Sequence, residues 1–195
     1  MEKTVKKITA YSFLYLLLAS LLLPMGETAF ACSTEKYDNI MTISPGMLYP
    51  LRGPFRDYYG EKMDLNIQYF RNFGGSFYAG IRGGYIFPDK GDLGIKYSNF
   101  NLAPITRYYL SADFIKSYLT GGLGFNFRKL EIGGIDVDDF APSFILGTGV
   151  EMNIYNSLVF GVELNVDYIY DGDTDRGGFG NTGGLNLLLN IGYLF

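Results

Sequence analysis

The chain has 195 residues, a formal net charge of −4, one cysteine and no histidine. That composition excludes an internal disulfide and imidazole-based acid–base catalysis, and a mildly acidic chain without a basic tract is not built to bind nucleic acid. Its 17 Tyr, 16 Phe and 26 Gly point to strands and tight turns rather than helices.

Residues 1–31 read as a signal peptide. Lys3, Lys6 and Lys7 precede an apolar stretch from Ile8 to Leu23, and Ala29-Phe30-Ala31 supplies a small-x-small cleavage site. The apolar run is short of the roughly 20 residues that a spanning helix needs, so export with cleavage after Ala31 is expected. Cys32 would then head the mature chain. This raises lipidation as an alternative to a plain cysteine, although the preceding residues lack the Leu and the small residue of a lipobox.

After a short N-terminal periplasmic segment at 32–39, period-2 alternation predicts eight strands over 40–195. Their expected spans are 40–50, 62–71, 76–87, 100–110, 117–129, 142–154, 158–170 and 184–195. The pattern is clearest at 158–170, where Leu158, Phe160, Val162, Leu164, Val166, Tyr168 and Tyr170 share one face. The first and fourth strands are the weakest, because Pro45 and Pro104 cannot donate to a ladder. Short links at 72–75, 111–116 and 155–157 alternate with long ones at 51–61, 88–99, 130–141 and 171–183. Short periplasmic turns and long surface loops are the habit of outer-membrane barrels, whose even strand number leaves both termini periplasmic.

Alternation alone does not say which face meets lipid. One face is apolar; the other interleaves Gly80, Gly84, Gly122, Gly124, Gly147 and Gly149 with a few large polar residues, which suits a narrow lumen rather than a water-facing wall. That inner face is expected to carry Asp64, Glu151, Glu163 and Asp167 against Arg82, Arg107 and Arg128, with Asn66, Gln68, Asn126, Asn153 and Asn165 among them. Charges of both signs in a narrow interior should pair. Aromatics gather toward strand ends in two belts. Tyr49, Tyr85, Phe87, Tyr97, Phe127, Tyr168 and Tyr170 lie beside the long links; Tyr69, Phe77, Tyr108, Phe114, Tyr118, Tyr155 and Tyr193 lie beside the short ones.

The last predicted strand, with Leu185, Leu187, Leu189, Ile191, Tyr193 and Phe195 on one face, resembles the C-terminal signal of bacterial outer-membrane proteins. That resemblance makes Tyr193 and Phe195 the residues read by the barrel-assembly machinery. Segments such as Tyr118-Leu119-Thr120-Gly121-Gly122-Leu123-Gly124-Phe125 and Ala103-Pro104-Ile105-Thr106-Arg107-Tyr108-Tyr109 resemble strands of the small outer-membrane barrel superfamily, which includes the OmpA barrel domain, OmpX and OmpW. The fold expected is therefore all-β, an eight-stranded antiparallel up-and-down transmembrane β-barrel.

The enzymes of that superfamily rely on a catalytic histidine, and this chain has none. The reading favoured is a non-catalytic outer-membrane protein with a structural or surface-interaction role, monomeric, in contact with outer-membrane lipids and lipopolysaccharide, and without cofactor or nucleic-acid partner. The alternative is a narrow channel for small solutes or, as the resemblance to OmpW implies, small hydrophobic molecules. Asp171-x-Asp173-x-Asp175 looks like the start of an EF-hand, but Arg176 and Thr182 stand where Gly and Glu belong, so no metal site is expected. Arg52, Phe55, Arg56, Tyr58 and Tyr59 of the first long link are candidates for contact with lipopolysaccharide phosphates or with a partner.

Overall fold

The computed structural model describes residues 38–52, 60–88, 96–111, 114–155, 157–170 and 182–195. The signal segment with Ala29 and Ala31, Cys32, and most of the links at 51–61, 88–99 and 171–183 lie outside the described residues.

Eight strands run in chain order around a closed antiparallel barrel: β1 (Asn39–Arg52), β2 (Lys62–Gly74), β3 (Phe77–Ile86), β4 (Lys96–Tyr109), β5 (Ile115–Ile132), β6 (Ile135–Tyr155), β7 (Leu158–Ile169) and β8 (Thr182–Leu194). β8 returns to β1, with Ile40 opposite Leu194 and Ile43 opposite Ile191, and Asn39 and Phe195 exchange backbone hydrogen bonds of 2.9 and 3.0 Å. Closure pairs the first and last strands, so the barrel has no free edge along its wall.

Side chains on each strand alternate between lumen and exterior. In β4, Tyr97, Asn99, Asn101, Ala103, Ile105, Arg107 and Tyr109 are all buried, while Phe100, Leu102 and Tyr108 are exposed. In β8, Asn186, Leu188, Asn190 and Leu194 point inward, while Leu189, Ile191 and Tyr193 point outward. The exterior is thus an apolar wall around a largely polar interior, the inverse of a soluble barrel and the arrangement that a bilayer requires.

Pro45 and Pro104 both sit inside strands, and each breaks only one ladder. Pro45 stays in register with Leu65 on β2, whereas the β1–β8 pairing skips from Ile43 to Gly46. Pro104 pairs with Ile81 on β3, whereas the β4–β5 pairing skips from Leu102 to Ile105. In an antiparallel strand the N–H and C=O of one residue face the same neighbour, so a missing donor costs one side only.

The link expected at 130–141 is not a loop. β5 and β6 continue past the rest of the wall and join through Gly133 and Gly134, with φ of 57° and 86°, while Ile132 stays opposite Ile135. Two positive-φ residues make the tight hairpin turn whose twist matches the strands. On this extension, Lys129 and Asp136 form an exposed ion pair of 2.6 Å, and Lys96 holds Glu131 at 2.9 Å. The Asp136 carboxylate accepts a hydrogen bond from the Lys129 ammonium and raises its pKa.

Two members of the expected aromatic belts belong inside. Tyr97 and Tyr118 are 2% and 0% exposed and project into the lumen. Both share a strand face with residues already expected there, Tyr97 with Arg107 and Tyr118 with Gly122, so their parity outweighs their position near strand ends. The side chain of Tyr155 lies outside the described residues. Tyr69, Phe77, Tyr85, Phe87, Tyr108, Phe114, Phe127, Tyr170 and Tyr193 are exposed on the outer surface.

Candidate functional site

The most concentrated chemistry in the molecule lies at mid-lumen, around Arg107 of β4. Its guanidinium is fully buried and donates to Glu151 of β6 at 3.0 Å, to Glu163 of β7 at 3.1 Å and to Gln68 of β2 at 3.4 Å. The guanidinium carbon also lies 4.3 Å from the centre of the Phe70 ring and 4.0 Å from that of Tyr118. The planar cation is therefore held between two ring faces while its edge meets two carboxylates. Arginine suits such a site because its delocalised charge stacks and forks at once.

Glu163 is the second centre. One oxygen accepts from Arg82 of β3 at 2.6 Å and from Asn165 at 2.8 Å. The other accepts from Arg107, from the Tyr118 hydroxyl at 2.8 Å and from Asn190 of β8 at 3.3 Å. Glu151 receives the Tyr109 hydroxyl at 2.5 Å as well as Arg107. Two carboxylates and two guanidiniums are thus tied together from four strands, with tyrosine and amide donors filling the remaining acceptor positions. A buried carboxylate so satisfied keeps its charge without the heavy cost of an unpaired one.

On the side of the short links, the lumen turns apolar: Ile40, Phe70, Tyr78, Tyr109, Val159 and Leu194 form one buried cluster. Tyr109 stands edge-on to Tyr78 and to Tyr118, with ring centres 5.2 and 5.6 Å apart. Below the charges, packed rings and aliphatic side chains close most of the interior, and the buried Lys116 lies on the same side.

Of the seven lumen charges expected, Arg82, Arg107, Glu151 and Glu163 meet. The other three are inside but apart. Arg128 is buried near the end with the long links and pairs with Asp139 on β6. Asp64 accepts from Asn66 at 3.0 Å, and Asp167 lies beside a small cavity nearer the same mouth. The strong contributors that sequence reasoning missed are Tyr109, Tyr118, Phe70 and Asn190. Tyr109, Phe70 and Tyr118 stand at even intervals from the expected lumen residues Arg107, Gln68 and Gly122, and Asn190 alternates with the outward Leu189 and Ile191, so parity was the signal available. Tyr193 and Phe195 stand on the outer wall with ring centres 6.3 Å apart. Among the described residues there is no group of three or more His, Cys, Asp or Glu that could hold a metal ion.

No protein-family model matches the sequence, and no curated protein does. Solved structures do. The chain is similar to Neisserial surface protein A, with a TM-score of 0.65 at 12% identity over 80% of this chain and 96% of that one. It is similar to the N-terminal β-barrel domain of Pseudomonas aeruginosa OprF, with a TM-score of 0.55 at 10% identity over 82% and 98%. It is also similar to the outer membrane enzyme PagL, with a TM-score of 0.51 at 16% identity over 80% and 99%. At such identities the likeness carries the fold, which is shared by proteins with catalysis and proteins without it.

Proposed function

We propose, from the premise that this chain has the fold of the small eight-stranded outer-membrane β-barrels, that it is a non-catalytic integral outer-membrane protein. Its barrel is a filled scaffold that presents its surface to lipid, lipopolysaccharide and external partners. The observation that carries this reading is the Arg107 knot, in which Arg82, Arg107, Glu151 and Glu163 bridge opposite walls at mid-lumen. An aqueous path would have to break these pairs, and eight strands leave little room around them. The chain carries no histidine, and the two central glutamates are committed to arginines, which leaves neither free as a general base. With the short links periplasmic, both termini face the periplasm and the β5–β6 hairpin stands on the outside. The closed wall offers no unpaired edge along the barrel, which favours a monomer.

Planar-bilayer recording of the folded protein tests this. The expected record is free of stable discrete openings, and Arg107→Ala introduces them by unplugging the lumen. Stable openings in the unmodified protein, with a conductance that changes in Arg82→Ala or Arg107→Ala, would overturn the filled-scaffold reading in favour of a narrow channel.

A further inference from the structure

A cavity of about 30 Å³ opens at the lumen mouth on the side of the long links, above and separate from the Arg107 knot. Beside Tyr97 of β4, its polar lining comes from four residues: Asn99 of β4, Asp167 of β7, and Thr182 and Asn186 of β8. Asn99, Thr182 and Asn186 are only 2%, 5% and 8% exposed. In each of the four residues one oxygen is buried without a hydrogen-bond partner: Asn99 Oδ1, Asp167 Oδ1, Thr182 Oγ1 and Asn186 Oδ1. The orientation of Asn99 is set independently, because its Nδ2 donates to Asn126 Oδ1 at 2.9 Å and leaves Oδ1 as its acceptor. Three of these oxygens can only accept, and one of the three belongs to a carboxylate. The charges within electrostatic reach of Asp167 oppose one another, Arg82 on one side and Asp64 on the other, and Arg82 is already bound to Glu163.

We propose that this cavity binds the head of a primary alkylammonium ion. An –NH₃⁺ group brings three donors and no acceptor, which matches three acceptor-only oxygens and one negative charge. Water brings two donors and no charge, so it would leave an acceptor unmet. The remaining walls decide between an organic and an inorganic cation. Leu48, Ile86 and Ile169 line the same cavity and suit an alkyl stem, whereas a bare ion would gain nothing from them. The volume accepts one or two heavy atoms, so the head enters and the stem lies toward the mouth.

The test is an NMR titration of the full chain folded in detergent micelles, following the side-chain amides of Asn99 and Asn186. n-Butylammonium chloride should produce saturable shifts of both, weakened about tenfold in Asp167→Asn, which removes the charge from the strongest acceptor. Should Asp167→Asn fail to refold, Asn186→Leu carries the same expectation. Sodium chloride at equal ionic strength and n-butanol should leave both amides unmoved. Equal shifts with sodium would mean an inorganic cation site, and equal shifts with butanol a plain apolar pocket. Either result, an absence of saturation, or an unchanged affinity in the variant overturns the proposal.

Discussion

Arg107 is the residue on which the interior turns, because its guanidinium touches both buried glutamates. Replacing it with alanine leaves Glu151 without its arginine and Glu163 with Arg82 alone, and a buried pair broken from one side costs about 3–5 kcal/mol. We expect Arg107→Ala to lower the stability of the vesicle-folded barrel by that amount, read as a drop in the urea midpoint. Tyr118→Phe should cost less, about 1–3 kcal/mol, since the ring still lies against the guanidinium and only the hydroxyl bonded to Glu163 and Asn190 is lost. If the two variants are equally damaging, the ion pairs are not the dominant part of the knot. The charges were legible in the sequence because no charged side chain faces lipid without cost. The tyrosines were less so, since an aromatic near a strand end is at home both in an interfacial belt and in a lumen, and only the count of residues along the strand separates the two.

The β5–β6 hairpin shows the same alternation under a different environment. Phe127 and Phe140 point outward where the wall meets lipid, with ring centres 5.2 Å apart. A few residues further on, the outward face carries Lys129, Glu131, Asp136 and Asp138 instead. The strands continue because Ile132-Gly133-Gly134-Ile135 closes them in a tight turn, not because the segment is apolar. An L-residue in the left-handed region costs roughly 1–2 kcal/mol, so Gly133→Val with Gly134→Val should fray the ribbon locally. Amide hydrogen exchange should then speed up at residues 129–138 and stay unchanged at mid-barrel. Exchange unaltered in the ribbon would show that its cross-strand ion pairs hold it without the turn. The sequence alone suggested a loop here because acidic residues and paired glycines are also what loops contain. The Gly-Gly pair between isoleucines was the overlooked hairpin signal.

For the whole molecule, the decisive feature is the inversion of polarity across the wall. Ile81 is exposed near the middle of β3, and an arginine there should cost about 2–4 kcal/mol in a bilayer. Ile135 is exposed to a similar extent, but it lies at the hairpin tip, where Ile135→Arg should cost about 0–1 kcal/mol. Urea unfolding from lipid vesicles measures both. Equal costs would mean that the wall is not in lipid. Heat modifiability is the simpler check: the folded barrel should migrate differently on a detergent gel before and after boiling, because the closed ladder resists the detergent until heated.

By itself the sequence determined the number of strands, their approximate limits and the face of each that turns inward, because those follow from a period of two that any local stretch displays. It also pointed to seven of the charged residues that lie inside, but not to Lys62 and Lys116, which are buried near strand ends. Only the tertiary structure decided their partners. Arg107 and Glu163 are 56 positions apart and on non-adjacent strands, so their meeting depends on how tilt and stagger bring opposite walls to one height. The same closure set Asp64, Asp167 and Arg128 at other levels of the lumen, where Arg128 found Asp139 and Asp167 came to border the cavity at the mouth. Periodicity is local and can be read along the chain, whereas register around a closed barrel is a property of the circuit.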